Sequence, residues 1–127
     1  MTVALDSWAV LCFLRNEGPS AVRVEEALLQ HPVMSWINLG EVYYITMRRE
    51  GEAVARRILA TLLASVIADE ATPARVVEAS RIKARYAMAF ADAFAVATAQ
   101  AHRAVLLTGD PEILDADGTW VAEDLRH

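Results

Sequence analysis

The stretch Thr2-Val3-Ala4-Leu5-Asp6-Ser7 decides the fold. Thr2 to Leu5 is an apolar, β-branched run of the length of a short buried strand. A carboxylate and a hydroxyl follow at once, where that strand should end. In open α/β sheets ligands bind outside the carboxyl ends of the strands, so Asp6 stands where a site would be. Working outward, the same unit recurs. Val33-Met34-Ser35-Trp36, Val66-Ile67-Ala68 and Ala104-Val105-Leu106-Leu107-Thr108 read as further strands, with Trp120-Val121-Ala122 as an edge strand. Helical segments separate them: 7–15, 20–30, 38–50, 52–64, 73–86 and 90–102. Asn16-Glu17-Gly18-Pro19 reads as the turn closing the first. In the second, Val22, Ala27, Leu28 and Leu29 mark the apolar side and Arg23, Glu25 and Glu26 the wet side. Strands alternating with helices predict an α/β chain with a central parallel sheet covered on both faces.

The 127 residues suit one domain with a real core, and 55% of them are hydrophobic, which excludes a disordered chain. No apolar stretch of about 18 uncharged residues is present, so no membrane span is expected. The early Asp6, with no basic residues before it, is not the start of a secretory signal. Cys12 is the only cysteine. It sits between Leu11 and Phe13, which suits a core residue in a reducing cytoplasm. A net charge of −5 argues against a broad, sequence-independent grip on nucleic acid but leaves room for a local basic patch.

Four acids follow predicted strands or open the helices after them. Asp6 ends the first strand, and Asp is also a favoured helix N-cap. Glu41 lies in Asn38-Leu39-Gly40-Glu41, which matches a capping box with Asn38 at the cap. Asp92 lies in Phe90-Ala91-Asp92-Ala93-Phe94-Ala95-Val96-Ala97, a helix apolar all round, where a carboxylate is rare unless paired or metal-bound. Asp110, in Thr108-Gly109-Asp110-Pro111, has good capping chemistry before a proline. Asp6, Glu41 and Asp110 each have a capping explanation, and the first-turn position of Asp92 suits the helix dipole. Together they fall on one rim of a parallel sheet, where four uncompensated carboxylates repel and a cation relieves them. All-oxygen ligands point to Mg²⁺ or Mn²⁺. His31, His102, His127 and Cys12 show no ligand spacing for zinc. Ser7 and Thr108 stand beside the acids as groups that orient them, and Glu112 is an outer candidate.

The motifs Leu5-Asp6-Ser7, Asn38-Leu39-Gly40-Glu41-Val42, Ala91-Asp92-Ala93 and Leu107-Thr108-Gly109-Asp110 resemble those of PIN-domain nucleases, specifically VapC-type toxins of bacterial toxin–antitoxin pairs. The resemblance spans essentially the whole chain, in the right order. It implies a single PIN-like domain over residues 1–127, a three-layer α/β/α sandwich with strand order 3-2-1-4-5, and Asp6 and Asp110 flanking the switch point. It further implies a cytoplasmic RNA-cutting hydrolase that holds Mg²⁺ or Mn²⁺ on Asp6, Glu41, Asp92 and Asp110. A homodimer and a VapB-like antitoxin partner follow from the same resemblance. The family often has a serine shortly before the acid that Asp92 matches. Here Met88-Ala89-Phe90-Ala91 supplies none, so that helix is expected to lack its hydroxyl cap.

The expected chemistry is metal-assisted phosphodiester hydrolysis, with Asp6 and Asp92 as direct ligands and Asp110 and Glu41 completing the shell or orienting the water. A haloacid-dehalogenase-type phosphatase lacks its second Asp, since Trp8 stands there. A response-regulator receiver lacks its acid pair and lysine. The remaining alternative is a non-catalytic RNA- or protein-binding module on the same scaffold. Arg81, Lys83 and Arg85, with Tyr86, are candidate phosphate-binding residues, as are Arg48 and Arg49. Trp8, Phe13, Trp36, Tyr43, Tyr44 and Met47 include candidates for a partner groove.

Overall fold

The computed structural model describes residues 1–16 and 18–126. Twelve elements follow in order: β1 (Val3–Leu5), α1 (Ser7–Leu14), α2 (Gly18–Leu28), β2 (Val33–Ser35), α3 (Trp36–Glu50), α4 (Glu52–Ser65), β3 (Ile67–Asp69), α5 (Pro73–Arg85), α6 (Phe90–Ala101), β4 (Val105–Thr108), α7 (Pro111–Leu114) and β5 (Ala122–Asp124). The strands form one parallel sheet of order β3-β2-β1-β4-β5. The chain winds outward from β1 in one direction through β3, then returns to the other side of β1 with β4. The switch point therefore lies between β1 and β4, and the carboxyl ends of both strands share one rim.

Register and the two-residue period build the layers. Ala4 pairs with Val33 and Leu106, and all three pack into the core beneath α6. Leu5 pairs with Met34 and Leu107, and these face the opposite core with Val10 of α1, Val24 of α2, Leu39 and Val42 of α3 and Leu62 of α4. Successive side chains of a strand point to opposite faces, so two adjacent apolar residues in each central strand serve two cores. The result is the α/β/α sandwich expected above. Leu5, Leu106 and Leu107 are all essentially inaccessible. Between α3 and α4 the chain reverses at Gly51, whose φ of 91° is the region glycine enters without strain.

Several local expectations need correction. Val22 and Leu29 do not mark the buried side of α2: they are 58% and 80% exposed, and Ser20, Ala21, Val24 and Ala27 face inward. The polar Ser20 holds this face because its hydroxyl donates to Leu125 O. Gly18 and Pro19 open α2 rather than forming a turn, and Glu17 of that predicted turn lies outside the described residues, as does His127. Trp36 begins α3 instead of ending β2, because the Ser35 hydroxyl caps the helix by accepting from Ile37 N at 3.1 Å. β3 and β5 run later than expected, so that Asp69 ends β3 and Trp120 precedes β5. Trp120 packs instead edge-on against Tyr86, with centroids 4.9 Å apart. No helix among the described residues is long and apolar enough to cross a membrane.

Candidate active site

Register brings the first pair of groups together. Leu5 and Leu107 are partners, so the next residue along β1 and the end of β4 emerge side by side. The Thr108 hydroxyl donates to Asp6 Oδ2 and accepts from Asp110 N at 3.0 Å. Asp6 Oδ1 caps α1 by accepting from Ala9 N at 2.8 Å. Asp6 therefore caps α1 and, in the same buried side chain, joins the end of β1 to the end of β4. Gly109, between Thr108 and Asp110, lies under the Trp8 ring. A Cβ there would come within 2.2 Å of the indole, so any other residue at this corner would require the Trp8 ring to move.

Asp110 caps the short α7, accepting from Glu112 N at 2.9 Å. Pro111 at the first helical position suits that cap, since its missing N–H would be unused there. α6 starts without a side-chain hydrogen bond at its cap residue Ala89, in keeping with the missing serine. A carboxylate from elsewhere compensates: Glu112 Oε2 accepts from Ala89 N at 2.9 Å. This bond fastens α7 to the start of α6 and brings Glu112 to Asp92. Asp92, Asp110 and Glu112 each offer an oxygen, and these oxygens lie within 4.8 Å of one another. Sequence reading ranks Glu112 last among the candidates. Geometry puts it in the tightest group, because Asp110 caps α7 and Glu112 lies in the first turn of that helix.

Glu41 approaches from α3. Its Oε1 accepts from Ser7 Oγ at 2.7 Å and from Asn38 Nδ2 at 3.2 Å. The capping-box reading of Asn38 is overturned: it lies inside α3, fully buried, and Ser35 holds the cap position.

The electrostatics follow from crowding. Burial pushes the Asp6 carboxyl up to about 7, against the hydrogen bonds from Thr108 and Ala9, with help from the charges of Asp110 and Glu41. Burial likewise pushes Asp92 up to about 8, assisted by Asp110, Glu112, Asp6 and Glu41. Among the described residues none of these five acids is in a salt bridge. Five carboxylates with no lysine, arginine or histidine between them match the all-oxygen donor set of a hard divalent cation.

The basic candidates lie elsewhere. Arg81, Lys83 and Arg85 are exposed along α5, and Lys83 Nζ donates to Met88 O at 2.6 Å, ahead of α6. Tyr86 is half-buried against Trp120 and is part of the packing. Arg48 lies 5.2 Å over the Tyr44 ring at the end of α3. The large apolar groups divide. Trp36 and Tyr43 line a groove between α3 and α4 with Leu39, Leu59 and Leu63. Phe13 lines another, of α1, α2 and α4, with Leu28, Leu29, Ile58 and Leu62.

One acid escapes the sequence reading. Asp69, at the end of β3, is buried against Arg75, with bonds of 2.8 and 3.1 Å, and against His102 Nε2 at 2.8 Å. The signal that could have found it is the pattern of an apolar run followed by an acid, present in Val66-Ile67-Ala68-Asp69.

A family model described as the PIN domain matches residues 3–118. No curated protein matches the chain in sequence. Among solved structures, the fold is similar to that of a toxin–antitoxin complex from Klebsiella pneumoniae, at 18% identity over 98% of each chain with a TM-score of 0.77. It is similar to DNA-bound VapBC from Salmonella typhimurium, at 13% identity over 99% of each chain with a TM-score of 0.79. It is also similar to VapC20 of Mycobacterium tuberculosis, described as a Sarcin-Ricin loop cleaving toxin. That match has 18% identity over 93% of this chain and 97% of the other, with a TM-score of 0.76. At such identities the likeness is one of fold.

Proposed function

The chain belongs to the PIN-domain family, and from that premise we propose that it is a metal-dependent endoribonuclease, the toxin of a toxin–antitoxin pair. The observation that carries this reading is the convergence of Asp92, Asp110 and Glu112 with no cationic side chain to neutralise them. These three would hold Mg²⁺ or Mn²⁺. When bound, such an ion lowers the pKa of a water and offsets charge developing on the phosphate. Asp6 contributes negative charge and the lone pairs that its two hydrogen bonds leave. Thr108 keeps Asp6 in place. Glu41, with Oε1 occupied by Ser7 and Asn38, has its second oxygen for completing the metal's shell or orienting the attacking water. Arg81, Lys83 and Arg85 are the residues we assign to substrate phosphates.

RNA as the substrate class rests on the resemblance of the four acidic motifs. A protein of the same fold is a Sarcin-Ricin loop cleaving toxin, which is consistent with it. The apolar grooves of the α1–α4 layer are suited to a segment of a VapB-like antitoxin. We further propose that residues 1–127 act as one domain, in the cytoplasm, as a homodimer.

The test is cleavage of structured and single-stranded RNAs by purified protein. Cutting is expected with Mg²⁺ or Mn²⁺, lost with EDTA and restored by excess metal. RNA that is bound but never cut at any metal concentration would overturn the enzyme in favour of a binding module.

A further inference from the structure

Asn38 enters the functional reading only as a donor to Glu41. It is fully buried in the first turn of α3. Its Nδ2 donates in two directions: to Glu41 Oε1 at 3.2 Å and to the carbonyl of Ala91 at 3.1 Å. Ala91 is in the first turn of α6, one residue before Asp92. One amide nitrogen thus links the carboxylate on α3 to the backbone that carries the carboxylate on α6. Its Oδ1 is buried and, among the described residues, has no hydrogen-bond partner. The amide cannot be turned over to satisfy it. That would bring Oδ1 against a carboxylate and a carbonyl, two acceptors, and leave Nδ2 unpaired. An apolar residue of the same volume would avoid the unpaired oxygen, but it would also lose both donations, to Glu41 and to Ala91 O.

The geometry points to Asn38 as a positioning residue that sets Glu41 against Asp92. This role rests on the metal-dependent reading above and on two features of the Glu41 carboxylate. Ser7 and Asn38 both donate to Oε1 of Glu41, and Oε2 is left without a protein partner among the described residues. A carboxylate held by one oxygen presents the other in a fixed direction. Both donors are also neutral. A lysine or arginine in their place would hold Glu41 equally well but cancel the charge that attracts a cation. The amide is the one short side chain that donates twice without charge, and so reaches Glu41 and Ala91 together.

The test is Asn38→Leu in the full chain, read by Mn²⁺ calorimetry, melting and RNA cleavage. Leucine keeps the volume and the helix and removes the donor. We expect Mn²⁺ affinity and kcat to fall by about 10–100-fold each, the range for groups that orient metal ligands. KM for RNA should stay the same. In a Glu41→Gln background the same substitution should have no further effect on Mn²⁺ affinity, because Asn38 acts through the Glu41 carboxylate. Asn38→Leu that lowers the melting temperature but leaves Mn²⁺ affinity and kcat at wild-type values would overturn the proposal alone. So would additivity with Glu41→Gln. Wild-type protein that neither binds Mn²⁺ nor cuts RNA would overturn the functional reading and this one with it.

Discussion

Asp6 and Asp69 both end a strand of the same sheet, both are buried, and they have opposite surroundings. Asp69 meets the Arg75 guanidinium through both oxygens, His102 Nε2 at 2.8 Å and the Thr98 hydroxyl at 3.3 Å. Burial pushes its carboxyl up, but the hydrogen bonds and charges of Arg75 and His102 more than offset this and hold it below its usual value. Asp6 receives a hydroxyl and a backbone N–H and is surrounded by other acids, and its carboxyl is pushed up to about 7. The difference teaches how to tell the two uses of a buried carboxylate. Where the fold supplies a cation, the acid fastens elements together, here β3, α5 and α6. Where it supplies only neutral donors and more acids, no cation among the described residues offsets the charge.

The sharpest way to break the comparison is to remove charge from each region in turn. Asp92→Asn should lower RNA cleavage by roughly three orders of magnitude, since the metal contributes several kcal/mol to the transition state. Asp69→Asn should leave cleavage per folded molecule within about twofold. Stability should respond in reverse. Asp69→Ala leaves Arg75 with Glu78 alone and should cost about 3 kcal/mol, a fall in melting temperature of roughly 10 °C. Metal-free Asp92→Asn should melt no lower than the wild type, because a repelled carboxylate is gone. Equal loss of cleavage in both variants would erase the distinction.

A smaller effect lies in the pH dependence of the metal-free protein. Asp6 and Asp92 titrate near 7 and 8 when folded, against 3.8 for their unperturbed value. Between those limits the folded chain holds protons that the unfolded chain has lost. Melting temperature should therefore fall as pH rises from about 4 to about 8. The Asp6→Asn, Asp92→Asn double variant should flatten that slope. Asp69 has the opposite sign: its contribution is present above 3.8 and is lost as pH falls through its lowered folded value. Divalent metal competes with the protons, so its stabilising effect should grow from about pH 6 to about pH 8.5. A metal-free melting curve that rises over this range would contradict the assigned electrostatics.

The smallest effect concerns the exposed cations of α5. Arg81→Glu with Arg85→Glu should weaken RNA binding severalfold and reduce its logarithmic salt slope by roughly one for each phosphate no longer neutralised. Binding unchanged across salt concentrations would remove that helix from the interface and leave the acidic rim alone to hold substrate.

Much of this protein is determined by the sequence itself, because the relevant physics is local. Two adjacent apolar residues in a short run specify a strand buried on both faces, as Ala4-Leu5 and Leu106-Leu107 do. Alternation of such runs with helices specifies a parallel sheet, and acids just past the runs must then gather at one rim. The position of Asp6 beside Thr108 follows from nothing more. Other features were decided only in three dimensions. Asn38 looks like a cap because its spacing to Glu41 is that of a capping box, yet its second partner, Ala91, is 53 residues away. Glu112 looks peripheral until α7 turns it back onto Ala89, 23 residues earlier. Asp69 carries the same local pattern as Asp6, and only the fold delivers His102 to it, across 33 residues. Periodicity says which face of an element is buried. Which polar group meets which across that buried face depends on how helices cross the sheet, and that angle is set by the packing of all the side chains at once.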